Sequence, residues 1–119
     1  MSNPVTRFQI LSSAPDETAA FYADLFGWRV SADNALGYRE FDTGSHSGIQ
    51  GGVWPAPPGA PAFVQLFVTV DDVAGKIAEA QKLGAKLLIP PTMLPDGDEM
   101  AVLHDPLGVP FALWRDRTA

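Results

Sequence analysis

The sequence predicts an α+β fold: two βαβββ modules forming a curved mixed sheet around a cleft, with the helices on the outer face. Three observations predict it. The stretch TRFQILSSAPDETAAFYADLFGWRV, Thr6 to Val30, reads as strand, helix, glycine stop and strand. The same order recurs from Phe63 to Ile89, with Gln65 standing 58 residues after Arg7 (65 − 7) and Gly84 57 after Gly27 (84 − 27). Alternating segments then follow each helix, as hairpins require. A unit written twice is a pair of modules, since a solenoid needs at least three. The 119 residues are read as one domain, with module one at about 4–54, a Pro-rich connector at 55–61 and module two at about 62–115.

Each element has its own reason. In Val5–Leu11, alternation sends Val5, Arg7, Gln9 and Leu11 to one face and Thr6, Phe8 and Ile10 to the other. Ser13 and Asp16 have the spacing of a capping box, and Pro15 suits a first helical turn. Ala19, Tyr22, Ala23 and Phe26 recur at helical spacing, and Phe21 and Leu25 widen the stripe. Phe21, Tyr22, Phe26 and Trp28 are expected in the core. Gly27 follows where a left-handed cap is wanted. Ser31–Gly37 reads as a loop with Asn34 and Gly37 as turn residues, Tyr38–Thr43 as a strand, Gly44–Gly48 as a turn. Ile49–Trp54 is the fourth strand, and glycines such as Gly51 and Gly52 inside a strand mark a bulge or a close approach. The connector PAPPGAP is expected to be stiff, although Pro55 and Pro58 have the spacing of a polyproline ligand.

In the second module Phe63–Val70 is a strand, Asp71 or Asp72 caps a helix carrying Val73, Ile77, Ala80 and Leu83, and Gly84 ends it. Leu66, Val68 and Val70 are expected to face that helix. The strand Ala85–Ile89 is expected to stop at Pro90-Pro91, which cannot continue a central ladder, with Thr92–Leu94 as a short extension. A turn at Pro95–Asp98, a strand at Met100–His104, the turn Asp105-Pro106-Leu107-Gly108 and a strand at Val109–Arg115 complete the module. The tail from Asp116 is expected to fray.

Composition narrows the partners. A formal charge of −6 argues against nucleic acid or an anionic membrane. No cysteine is present, which excludes disulfide and thiol chemistry and favours a cytoplasmic setting. The start, MSNPVTRFQI, lacks the pattern of a leader, and no apolar run is long enough to span a bilayer.

The doubled module resembles the vicinal oxygen chelate superfamily of glyoxalase I, the bleomycin-resistance proteins and the extradiol dioxygenases. Phe21-Tyr22 with Leu25-Phe26-Gly27-Trp28, then Leu83-Gly84-Ala85, then Asp105-Pro106-Leu107-Gly108 before the last strand carry the likeness, across almost the whole chain. The resemblance implies an open cleft, completed in short members by dimerisation. It also implies metal positions on the first strand of each module and on the last strands. Carried over, these fall on Arg7, on Gln65, on Ala112, and on Gln50 with Gly52 as the alternative. An arginine is a permanent cation without a lone pair, alanine offers nothing, and neutral amides are weak ligands without charged company. His46 sits in a turn between serines and is expected at the surface. His104 stands at a strand end, where hydrogen bonding is expected, although it could line the mouth of the cleft. The expectation is therefore a cleft with no metal and no other cofactor.

Strand parity gives the lining of that cleft: Arg7, Gln9, Gln50, Trp54, Gln65, Phe67, Thr69, Ala112 and Trp114. A few polar groups among apolar walls suit a small molecule. Arg7 could fork onto a carboxylate or phosphate, and Trp54, Phe67 and Trp114 could stack on a flat body. Arg7 could equally pair with Glu40, the tryptophans could belong to the core or a dimer interface, and Gln50 and Gln65 could bond to each other. Two functions are consistent with this lining. One is a homodimeric module binding a small aromatic or anionic molecule. The other is a lyase, isomerase or dioxygenase, using ligands such as His104 with Glu40 or Glu99, or working without metal with Arg7 stabilising an anion. A vestigial cleft within a larger assembly is a third possibility.

Overall fold

The computed structural model describes residues 3–32, 38–95 and 97–117. Most of the expected Ser31–Gly37 loop, with Asn34 and Gly37, lies outside the described residues, as do Asp96 of the Pro95–Asp98 turn and the last two residues. In chain order the elements are β1 (Val5–Ser12), α1 (Pro15–Phe26), β2 (Arg29–Ser31), β3 (Arg39–Asp42), β4 (Gln50–Pro55), β5 (Phe63–Thr69), α2 (Val73–Lys82), β6 (Lys86–Met93), β7 (Glu99–His104) and β8 (Pro110–Arg115). The order is βαβββ twice, the α+β class the sequence predicts. The chain divides into two compact units, residues 7–65 and residues 66 onward joined by those before Arg7.

In the first unit the strands run in the order β2-β3-β4-β1, with β1 and β4 parallel and the other pairs antiparallel. A parallel β1–β4 pair needs a long connection, and α1 with the β2–β3 segment supplies it. Ala19 of α1 is buried with Phe41 and Val53, and Phe8, Ile10, Tyr22 and Trp28 pack around them. Gly51, in register with Phe8, leaves the space that the Phe8 ring occupies; a Cβ there would overlap the ring. Gly27 closes the helix at φ 72°, its N–H donating to Ala23 O at 2.8 Å.

Two expectations for α1 are corrected. No Ser13–Asp16 capping box forms, because the N-cap is Ala14, one residue later. Instead Ser12 Oγ accepts from Ala14 N at 3.0 Å and pairs with Thr18 Oγ1 at 2.6 Å, while Asp16 binds Arg39 Nε at 2.7 Å. Phe21 and Phe26 are not core residues: they are 58% and 56% exposed, beside Leu25 at 60%. Phe21 lies one residue from Tyr22, and adjacent helical positions do not share a face. Phe26 occupies the last turn, where the rings of Tyr22 (6.4 Å) and Trp28 (5.1 Å) back it and its outer side stays exposed.

The second unit repeats the plan as β5-β8-β7-β6, with β5 and β8 parallel. Asp72 caps α2, its carboxylate accepting from Gly75 N at 3.1 Å. Val73 and Ile77 are buried against Val70, Ala101, Leu103 and Leu113. Leu66 is 48% exposed rather than turned into this core, because the β5–β8 register begins only at Phe67. Contrary to expectation, β6 runs straight through Pro90-Pro91. It is the last strand of its unit, paired with β7 alone, and its register shifts between Leu87 and Ile89 and again between Ile89 and Thr92. An outer strand with bulges tolerates prolines that a central one would not. Nor is the tail loose at Arg117, whose N–H donates to the buried Asp98 Oδ1 at 2.9 Å. The Asp105–Gly108 turn forms as expected, with Asp105 Oδ1 accepting from Leu107 N and Val109 N, both at 2.9 Å.

Candidate functional site

The face of the first unit turned away from α1 is built by register. Arg7, Gln9 and Leu11 of β1 stand beside Gln50, Gly52 and Trp54 of β4. Glu40 of β3 is in turn opposite Gly52, which places Tyr38 beside Trp54. The Tyr38 and Trp54 rings lie 6.2 Å apart at 49°. From the residue before β3 the Tyr38 side chain crosses β4 above Gly52, where any Cβ would overlap its phenol and the carbonyl of Arg39. Its hydroxyl hydrogen-bonds the Gln9 side chain. Burial pushes the phenol up to about 12; Arg7 pulls it down, Glu40 pushes it up, and the Gln9 bond lowers it. The group is therefore neutral at physiological pH. Arg7, Gln9 and Trp54 are half-buried, and Gln50 and Glu40 are exposed.

Tyr38 is the residue that sequence reasoning missed. The signal was available: Glu40 was weighed as a partner for Arg7, and parity on β3 sends Tyr38 to the same face as Glu40. The close approach read into the paired glycines was also real, with Phe8 over Gly51 and Tyr38 over Gly52.

In the second unit Phe67, Ala112 and Trp114 do share a face, opposite to α2. They are buried there with Val102, and Leu94 and Met100 pack on them; the Phe67 and Trp114 rings meet edge-on at 5.6 Å. The Thr69 hydroxyl is held by Thr6 Oγ1 at 2.6 Å. Gln65, the last residue of the first unit, is buried. Among the described residues no three His, Asp or Glu side chains group as metal ligands would. His104 and Glu99, one suggested pair, end up at opposite ends of β7, about 17 Å apart at the rise of a strand. Glu99 is instead paired with Arg115 Nε at 3.1 Å.

A profile of the glyoxalase-like domain matches residues 8–114. The chain belongs to this family, within the vicinal oxygen chelate superfamily. A relative in Mycobacterium tuberculosis (strain CDC 1551 / Oshkosh), named "Putative glyoxylase CFP32", is 29% identical over 109 residues, covering 84% of this chain and 41% of the relative. DnrV of Streptomyces peucetius, an anthracycline biosynthesis protein, is 30% identical over 122 residues, covering 86% and 44%. The chain thus spans under half the length of the curated relatives it matches. Among solved structures, BH1468 of Bacillus halodurans superposes with a TM-score of 0.70 at 13% identity, over 98% of this chain and 96% of that one. Methylmalonyl-CoA epimerase of Mycobacterium tuberculosis superposes at 0.59 and 18% identity, over 93% and 86%. At such identities these two show the fold alone.

The glyoxalase-like fold invites a test of the metal positions. Gln9 pairs with Gly52 as Phe67 pairs with Ala112, and Phe67 follows Gln9 by the 58 residues (67 − 9) of the internal repeat. On the fourth strand the counterpart of Ala112 is therefore Gly52, the alternative to Gln50. The set becomes Arg7, Gly52, Gln65 and Ala112: a cation, two residues without a donor, and one amide. A divalent ion held by protein needs about three anionic or imidazole ligands, and this set does not fit one.

Proposed function

We propose that this glyoxalase-like chain binds a small aromatic or anionic molecule directly, without a catalytic metal, and does so as a homodimer. The observation that carries the reading is the donor set just described, with a permanent cation at the first position. A guanidinium repels a metal ion but attracts a carboxylate or phosphate in a two-pronged contact. Around it stand an amide, a neutral phenol and an indole, the mixture of few polar groups and apolar walls that suits small ligands. Dimerisation is proposed from the resemblance alone, in which short members pair to complete an open cleft.

The test is elemental analysis of protein purified without chelator, followed by a thermal-shift screen with divalent metals and small aromatic acids. Protein free of stoichiometric nickel, zinc, iron or manganese, stabilised by acids and not by metals, is the expected result. A second reading, a glyoxalase-like lyase, isomerase or dioxygenase, draws on the name of CFP32. Stoichiometric metal, or turnover that depends on added metal, would favour it.

A further inference from the structure

We propose that Arg7, Tyr38 and Trp54 form a recognition site for a flat aromatic carboxylate, with the guanidinium and the phenol O–H holding the carboxylate and the indole flanking the ring. This rests on the metal-free reading above and names the ligand class for that face. The deciding feature is Gly52. At the strand position where the family projects a metal donor, this chain carries no side chain, and the Tyr38 ring crosses through the vacated space to reach Gln9. The bare position on β4 and the phenol that lies over it are thus parts of one arrangement.

The groups on this face sort the charge. Arg7 on β1 and Glu40 on β3 are separated by β4 and by a two-residue offset, about 12 Å at ordinary strand geometry, with the neutral Tyr38 between them. Arg39, the next cation along β3, belongs to the opposite face, where it binds Asp16. A carboxylate is therefore attracted at the β1 side and repelled at the β3 side, which fixes the direction in which the ligand lies. The phenol donates without carrying charge, and Gln9 orients it. Trp54, beside Tyr38 and half-buried, offers an aromatic surface for the ligand ring.

The test is calorimetric titration of the purified chain with benzoate, using benzamide as the neutral probe of the same shape. Benzoate is expected to bind at least about tenfold more tightly than benzamide, because a hydrogen bond to a charged group is worth more than a neutral one. Tyr38→Phe keeps the ring and removes the donor, and should weaken benzoate about tenfold. Arg7→Ala should remove the preference for benzoate over benzamide, and Trp54→Phe should remove any quenching of tryptophan emission by benzoate. Circular dichroism confirms that each variant is folded. Equal affinity for the two probes, unchanged benzoate binding in both Y38F and R7A, or no benzoate binding at all would overturn the site. The parent reading fails differently: stoichiometric metal in the protein overturns it, whereas metal-free protein indifferent to benzoate overturns only this site.

Discussion

The phenol of Tyr38 shows how one side chain ties together burial, charge and pH. Its pKa is raised from an ordinary 10 to about 12, first by burial, against the pull of Arg7 and the Gln9 hydrogen bond. Folding therefore favours the protonated form. The associated stability is fully present below pH about 10 and is lost as pH rises towards about 12, because over that window the unfolded chain binds fewer protons. Alkaline unfolding monitored by circular dichroism should show this slope in the native protein and a flatter one in Y38F. The Asp16–Arg39 pair has the opposite sign. Asp16 is lowered below 3.8 by the Arg39 hydrogen bond and then by its charge, so its contribution is present above that value and fades as pH falls. Asp16 is open to solvent and Arg39 half-buried, so Asp16→Asn should change the melting temperature little, and less still in high salt. Nothing in the local sequence announces either arrangement. Tyr38 and Gln9 are 29 residues apart (38 − 9), and only the register of three strands brings them together.

Helices and strands were more legible than their ends and edges. The α1 stop at Gly27 and the α2 cap at Asp72 follow from local chemistry, and both are where that chemistry puts them. The entry to α1 was not legible: the N-cap falls on Ala14, whose N–H is held by Ser12 Oγ, while Asp16 is drawn to Arg39, 23 residues away in sequence. The prolines of β6 misled for a related reason: a sequence does not say which strand will be outermost. Asp72→Ala should cost about 1 kcal/mol in chemical denaturation, the ordinary worth of an N-cap. Gly51→Ala offers a sharper check on β4. A methyl group there must displace the Phe8 ring, which packs on the Ala19–Phe41–Val53 cluster, so a loss of about 1–3 kcal/mol is expected. An unchanged denaturation midpoint in the G51A protein would mean that Phe8 does not lie over this glycine.

At the scale of the whole molecule the repeat was legible because it is written twice at nearly constant offset, each time with its own glycine stop. The two places where one unit gives way to the other were not. One falls inside β5, between Gln65 and Leu66, and the other inside β1: Thr6 binds Thr69 and Pro4 O accepts from Thr69 N at 2.9 Å, so the residues before Arg7 belong with the second unit. Periodicity carries no mark of such an exchange, since the strand is continuous through it. The proposed dimer belongs to this scale as well. It rests on the resemblance, in which short members pair to complete a cleft, and one chain has a mass of 12.7 kDa. Sedimentation equilibrium at micromolar concentration should then return about twice the chain mass. A folded state that exists as a pair must also melt at a temperature that rises with protein concentration, by mass action. A mass of one chain, with a melting temperature indifferent to dilution, would remove the dimer. The carboxylate site would stand, because Arg7, Gln9, Tyr38, Gly52 and Trp54 all lie within one unit of one chain.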